Sequence, residues 1–168
     1  MRIEMQNEVE KMNDLDRCTG FLMIEAYILD RKDYSAWLAL WRADGIYVVP
    51  ATRNPVADPL NSLNYIYDDE DMRLRRVRRL QSGTALVTTP ATHTVRSLSR
   101  FILLGSDDGL CHLSSSLLLV ASRRSVQRIL AADVEHVIDL AESEPRLVRK
   151  TVTLINADEP LTDISFIL

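Results

Sequence analysis

The chain has 168 residues, 46% of them hydrophobic and 26% charged, with 20 basic against 24 acidic side chains and a net charge of −4. That length and balance describe one globular domain with a core of its own, and they exclude both wholesale disorder and the strong positive field of a general nucleic-acid binder. No apolar run approaches the roughly 20 residues of a membrane span, and the opening MRIEMQNEVEKMND lacks the apolar stretch of a signal peptide, so a cytoplasmic chain with no membrane partner is expected.

Residues 1–13 are expected as a flexible tail ahead of a single domain within 1–168. A helix is predicted from Asp14 or Asp16 to Leu29, because Cys18, Phe21, Leu22, Glu25 and Leu29 recur at three- and four-residue spacing. A second helix follows Asp33, a good N-cap, and sets Trp37, Leu40 and Trp41 on one face, with Gly45 just past its end. Ile46–Val49 then reads as a short strand stopped by Pro50. Residues 50–62 hold Pro50, Pro55 and Pro59 with Asn54 and Asn61, a loop of a length that serves function or an interface, or simply varies at a surface.

Tyr65, Ile66 and Tyr67 end a strand, and Asp68–Asp71 lead into a helix from Met72 to Leu80, closed by Gly83. Acids at its start and arginines toward its end suit the helix dipole. Leu74, Val77 and Leu80 form its apolar stripe, while Arg75, Arg76, Arg78 and Arg79 cover the rest, a solvated or partner-facing surface rather than a nucleic-acid site. Strands are predicted at about 84–88, 93–104, 113–122, 127–139 and 146–155, with breaks at Ser106–Gly109, Arg123–Ser125 and 141–145. Helices first and an antiparallel meander after define an α+β cone, with the N-terminal helices packed on one face of a curved antiparallel sheet. Leu113, Leu117 and Leu119 alternate with Leu118 and Val120, so the second face of that strand meets a ligand cavity or another subunit.

The redox inventory is sparse. Cys18 and Cys111 make no C-x-x-C pair, and two buried free thiols are expected. His93, His112 and His136 show neither the paired Cys and His spacing of a Rieske cluster nor a pattern supporting a two-histidine iron triad. No catalytic residue, cofactor site or metal site is therefore assigned to this chain.

Several motifs in order resemble one family. Glu25–Asp30, Tyr34–Leu40 and Asp44–Pro50 match its E-x-x-L-L-D, Y-x-x-W-L-x-L and D-x-x-Y-x-x-P opening. Tyr67-Asp68-Asp69, Arg76-Val77-x-Arg79-Leu80, the strand from His93 to Arg100, and Pro145–Asn156 continue the match over about residues 20–160. Three positions depart from the pattern: His93 replaces an arginine, Arg100 an asparagine and Arg75 an acid. The family is the small (beta) subunit of bacterial aromatic-ring-hydroxylating dioxygenases, which are Rieske non-haem iron oxygenases; the subunit has an NTF2-like fold. The C-terminal motif is most similar to subunits of the benzoate-type group.

The resemblance implies a non-catalytic assembly subunit of an oxidoreductase. Its large (alpha) partner would hold the Rieske 2Fe–2S cluster and the mononuclear iron, and a reductase would deliver electrons from NAD(P)H. It also implies an α3β3 complex, with a trimer of small subunits fixing the spacing of the large ones. Arg75, Arg76, Arg78, Arg79, Arg96, Arg100, Asn54 and Pro55 are the candidate contact residues, since guanidinium forks suit carboxylates on a partner. The alternative is a free-standing NTF2-like dehydratase or isomerase acting on a small hydrophobic ligand. His93, His112, Asp133 and Tyr65 would be its candidate cavity groups.

Overall fold

The computed structural model describes residues 2–56, 58–85, 92–141, 143–159 and 166–168, with the backbone alone for 2–11 and 83–85. The apolar spacing that opens the chain is carried by one long helix, α1 (Arg2–Asp30), which starts well before Asp14. Residues 2–13, expected as a tail, continue its backbone. Cys18, Phe21, Leu22, Glu25 and Leu29 are its buried stripe. Its end is set by Lys32, at φ 59°, where the chain turns left-handed and the Asp33 amide reaches back to Ile28 O at 3.1 Å.

The next helix is shorter than the apolar spacing suggests. α2 (Tyr34–Ala39) is capped by Asp33, whose Oδ1 accepts from the Ala36 amide at 3.1 Å. It ends before Trp41 because the chain there pairs with another strand: β1 (Trp41–Pro50) lies parallel to β6 (Arg146–Leu154), with Trp41 opposite Leu147. Gly45 thus serves in a strand, not as a helix stop. A Cβ at Gly45 would lie 2.9 Å from both Leu147 O and Trp41 Cε3, closer than packed atoms tolerate.

After the loop, which contains a 3-10 turn (Pro59–Asn61), β2 (Asn64–Asp68) leads into α3 (Glu70–Ala85). Asp69 Oδ1 caps α3 by accepting from the Met72 amide at 2.9 Å. α3 runs past Gly83, so Thr84 and Ala85 belong to it rather than to a strand; the rest of the expected 84–88 strand lies outside the described residues. The meander follows as β3 (His93–Asp107), β4 (Leu110–Arg123), β5 (Val126–Asp139) and β6. Its two tight hairpins, β3–β4 and β4–β5, turn at Asp108-Gly109 and Arg124-Ser125, all four residues at positive φ, the twist that two-residue hairpin turns require.

The six strands form one sheet in the order β2-β1-β6-β5-β4-β3, antiparallel except for the β1–β6 pair. Its inner face curls around α1, α2 and α3, and the core lies between. Trp37, Trp41 and Tyr47 meet edge to face there, with ring centroids 5.5, 6.0 and 6.3 Å apart. Phe166, Ile167 and Leu168 are buried in the same core, and the Leu168 amide N–H donates to the Tyr47 hydroxyl at 3.1 Å.

Gly45→Ala tests the close approach of β1 to β6. The added methyl has to displace the Leu147 carbonyl or the Trp41 ring, at a cost of about 1–3 kcal/mol, read as a lower urea midpoint with the fold retained.

Candidate functional site

One line of inner-face residues crosses four strands. Asp68 on β2 faces Tyr47 on β1, Tyr47 faces Lys150 on β6, and Lys150 faces His136 on β5. Each is engaged from within the chain. Arg76 of α3 grips Asp68 through Nε and Nη2, the latter at 3.1 Å. Lys150 Nζ donates to Glu25 Oε1 of α1 at 2.8 Å, and Trp37 Nε1 of α2 donates to the same oxygen at 3.0 Å. Ser115 Oγ lies 3.1 Å from His136 Nε2, while His136 Nδ1 has no hydrogen-bond partner among the described residues.

Burial governs the electrostatics of this line. Glu25 and Lys150 are 2% and 5% exposed, so each charge needs the other to offset several kcal/mol of lost hydration per ion. Burial pulls the Lys150 ammonium below its ordinary value, and the adjacent Glu25 carboxylate opposes that shift. Burial, reinforced by the Lys150 charge, holds His136 well below the usual histidine range, so the ring is neutral at pH 7. Burial likewise raises the Tyr47 hydroxyl. A general base must reach a substrate proton. This line instead spends its charges in pairs that fasten α1 and α3 to the sheet.

A second buried anchor lies beside it. Arg96, its side chain 3% exposed, pairs with Asp30 at the end of α1 and donates to Ile167 O. Thr94 Oγ1 and the Arg96 amide add bonds to Asp30, both at 2.9 Å. Arg73 is buried as well: it donates to Gly45 O and Arg42 O and lays its guanidinium over the Trp41 ring at 4.5 Å. Cys18 and Cys111 are buried free thiols, and the neighbouring Cys111 thiol, with burial, pushes the Cys18 thiol up.

The sequence-derived contact residues therefore divide. Arg96 and Arg76 are turned inward and used within the chain. Arg100 sits at a bulge of β3, at φ 52°, and pairs with Asp133 on the outer face, where both remain exposed. Arg75 pairs with Asp71 one turn earlier on α3 at 2.7 Å, while Arg78 and Arg79 are exposed with no ion-pair partner among the described residues. Asn54 and Pro55 line an open groove of about 610 Å³ between the 51–61 loop and the outer faces of β1, β5 and β6.

The groups expected for a cavity enzyme are not brought together. His93 is exposed and has no hydrogen-bond partner among the described residues; His112 is half-buried on the outer face. Asp133 pairs with Arg100, and the Tyr65 hydroxyl donates to Glu159 O at 3.0 Å. Sequence reasoning missed the line formed by Glu25, Lys150 and His136, because their adjacency depends on register between distant strands. Among the described residues, no three His, Cys, Asp or Glu side chains converge as metal ligands, and no helix is long and apolar enough to cross a membrane.

A helix-filled, curled mixed sheet of this order defines the NTF2-like class of α+β cones. The family described as ring hydroxylating beta subunit matches residues 24–158, and the chain belongs to it. The anthranilate 1,2-dioxygenase small subunit of Acinetobacter baylyi is 27% identical over 140 residues, covering 81% of this chain and 86% of that one. The crystal structure of the benzoate 1,2-dioxygenase beta subunit from Burkholderia mallei superposes with a TM-score of 0.75 at 24% identity, covering 89% of this chain and 95% of that one. A putative scytalone dehydratase from Novosphingobium aromaticivorans shares the fold alone, with a TM-score of 0.66 at 11% identity and 85% of each chain covered.

Two outcomes test the buried line. Lys150→Met leaves Glu25 in the core without its cation and should cost about 3–5 kcal/mol, whereas the double variant Glu25→Leu/Lys150→Met should recover most of that loss; urea denaturation of both variants measures it. For His136, the unfolded ring takes up a proton below about pH 6.5 and the buried one resists it, so stability holds above that pH and falls below it. His136→Gln should therefore narrow the gap between urea midpoints at pH 7.5 and pH 5.5.

Proposed function

We propose that this chain is the structural subunit of an aromatic-ring-hydroxylating oxygenase, acting by holding iron-bearing large subunits in register. The observation that carries the reading is how charge is distributed. Inside, Asp68 with Arg76, Glu25 with Lys150 and Asp30 with Arg96 form matched pairs; outside, Arg78 and Arg79 have no ion-pair partner among the described residues, and bare apolar side chains remain. Such a chain is built to bind rather than to react. In this reading the large subunit supplies the Rieske 2Fe–2S cluster and the mononuclear iron, and a reductase supplies electrons from NAD(P)H.

Self-association as a trimer within an α3β3 complex completes the proposal. Its support is a row on the outer face, Val95 opposite Val120 opposite Ile129, in which Val95 and Ile129 stand exposed. An apolar cross-strand row of this kind suits a permanent contact between copies. Arg75, Arg78 and Arg79 of α3 and Asn54 and Pro55 of the loop stand as candidate contacts with the large subunit. An aromatic acid of the benzoate type is the proposed substrate of the complex, supported by the likeness to the anthranilate and benzoate dioxygenase subunits. The paired free thiols suit the reducing cytoplasm.

Co-expression with the large subunit encoded beside it tests the assignment. The two chains should co-purify, and aromatic-acid-dependent NAD(P)H oxidation with the reductase should require both. Failure to co-purify would overturn the reading.

A further inference from the structure

The chain has 2 cysteines, far apart in sequence, and the fold brings them together. Cys18 lies on the inward stripe of α1 and Cys111 at the start of β4, both fully buried in the same apolar cluster. Contacts on either side fix that placement. Cys111 stands opposite Ser106 on β3 and opposite Ile138 on β5. Ser106 Oγ donates at 3.0 Å to Asp14 Oδ2, one helical turn before Cys18. Arg17 Nη2 donates at 3.2 Å to Leu140 O, just beyond Ile138. One turn of α1 is thus laid across β3, β4 and β5 at the level of Cys111, and the Cys111 thiol is the neighbour that helps to raise the Cys18 thiol.

A buried cysteine on its own packs as a small apolar side chain. Two adjoining thiols that join a helix to a sheet have a further chemistry open to them, because a disulfide closes only between cysteines already brought close. Their position on α1 gives such a bond a mechanical role. The buried pairs Glu25–Lys150 and Asp30–Arg96 tie the second half of α1 to the sheet, and both lie beyond Cys18. A covalent bond at Cys18 would fasten the first half as firmly. It would also close more than half of the chain into one loop, which restricts the unfolded state far more than the folded one.

We propose that Cys18 and Cys111 form a redox-sensitive latch, a dithiol in the reduced chain that hydrogen peroxide closes to a disulfide between α1 and β4. One sulfur, as thiolate, attacks a peroxide oxygen: the S–O bond forms, the O–O bond breaks, and the released hydroxide takes up a proton and leaves as water. The second sulfur then attacks the sulfenic sulfur: the S–S bond forms, the S–O bond breaks, and a second water departs. The two thiols lose two electrons and two protons, and the peroxide is reduced to water. Because the second thiol is already in place, the sulfenic acid is captured before it is oxidised further. In a reducing compartment the dithiol persists, so the latch closes only when oxidant is present.

The test treats the full folded chain with hydrogen peroxide, removes the peroxide, then unfolds the chain and labels it with N-ethylmaleimide for mass spectrometry. The untreated chain should carry a maleimide on each cysteine. The treated chain should carry none, and digestion should release the Cys18 and Cys111 peptides joined to each other and lighter by two hydrogens than the separate pair. Its urea midpoint should rise, and dithiothreitol should return it to the starting value. The latch is overturned if the treated cysteines still take up maleimide, if they gain oxygen instead, if they join one chain to another, or if the bridged chain is no more stable than the dithiol. Cys111→Ser, taken through the same steps, should show no rise in midpoint. A rise there would assign the effect to oxidation elsewhere and overturn the latch as well.

Discussion

The Glu25–Lys150 pair is the constraint around which the interior is arranged. An ammonium and a carboxylate this deeply buried tolerate each other only at close range and with their remaining hydrogen-bonding capacity engaged. Glu25 meets that condition by accepting from both Lys150 Nζ and Trp37 Nε1, so one carboxylate oxygen joins α1, α2 and β6. The register follows from it. With Lys150 fixed under α1, Tyr47 on one side and His136 on the other fall in line, and Arg76 closes the far end on Asp68. An apolar core could reach the same density, but it would not select this helix position so narrowly. Polar anchors trade some stability for a single arrangement.

The same arrangement supports the proposal that the chain acts by binding. The fold supports enzymes when polar side chains converge on open space. In this chain each inner carboxylate, Glu25, Asp30 and Asp68, is paired with a cation, Arg73 is held by backbone carbonyls and the Trp41 ring, and the inner histidine is neutral and shielded from solvent. Among the described residues the unmatched groups lie outward, on the third turn of α3, the outer sheet face and the β1–β2 loop. A subunit that lends its surface to a partner needs this polarity: a closed interior that never changes and an exterior that is incomplete alone.

Much of the scaffold was legible in the sequence because it rests on local rules. The stripe from Cys18 to Leu29, the Asp33 cap, the Asp108-Gly109 turn and the four long strands of the meander follow from periodicity and turn chemistry that need no knowledge of neighbours. Local rules failed where distant pairing overrode them. Trp41 continues a helical apolar stripe but is claimed by β6, and Gly45 looks like a helix stop but exists to let a carbonyl approach. Among the arginines of α3, spacing alone could not separate Arg73 and Arg76, which turn inward, from Arg78 and Arg79, which do not. The direction of each is decided by carbonyls and a carboxylate contributed by β1 and β2. Arg96 turns inward for the same reason, toward Asp30, which lies 66 residues away in the chain.

The edge-to-face cluster of Trp37, Trp41 and Tyr47 has a practical consequence. The sequence contains only 2 tryptophans, and both stand in this cluster, across the sheet from the β1–β2 loop. Their emission is consequently a local gauge of how tightly α2 is seated on β1. Events on the outer face should leave that signal silent, while any loosening of the interior should shift it to the red. The molecule thus carries its own optical reporter for separating damage to the core from changes at its contacts.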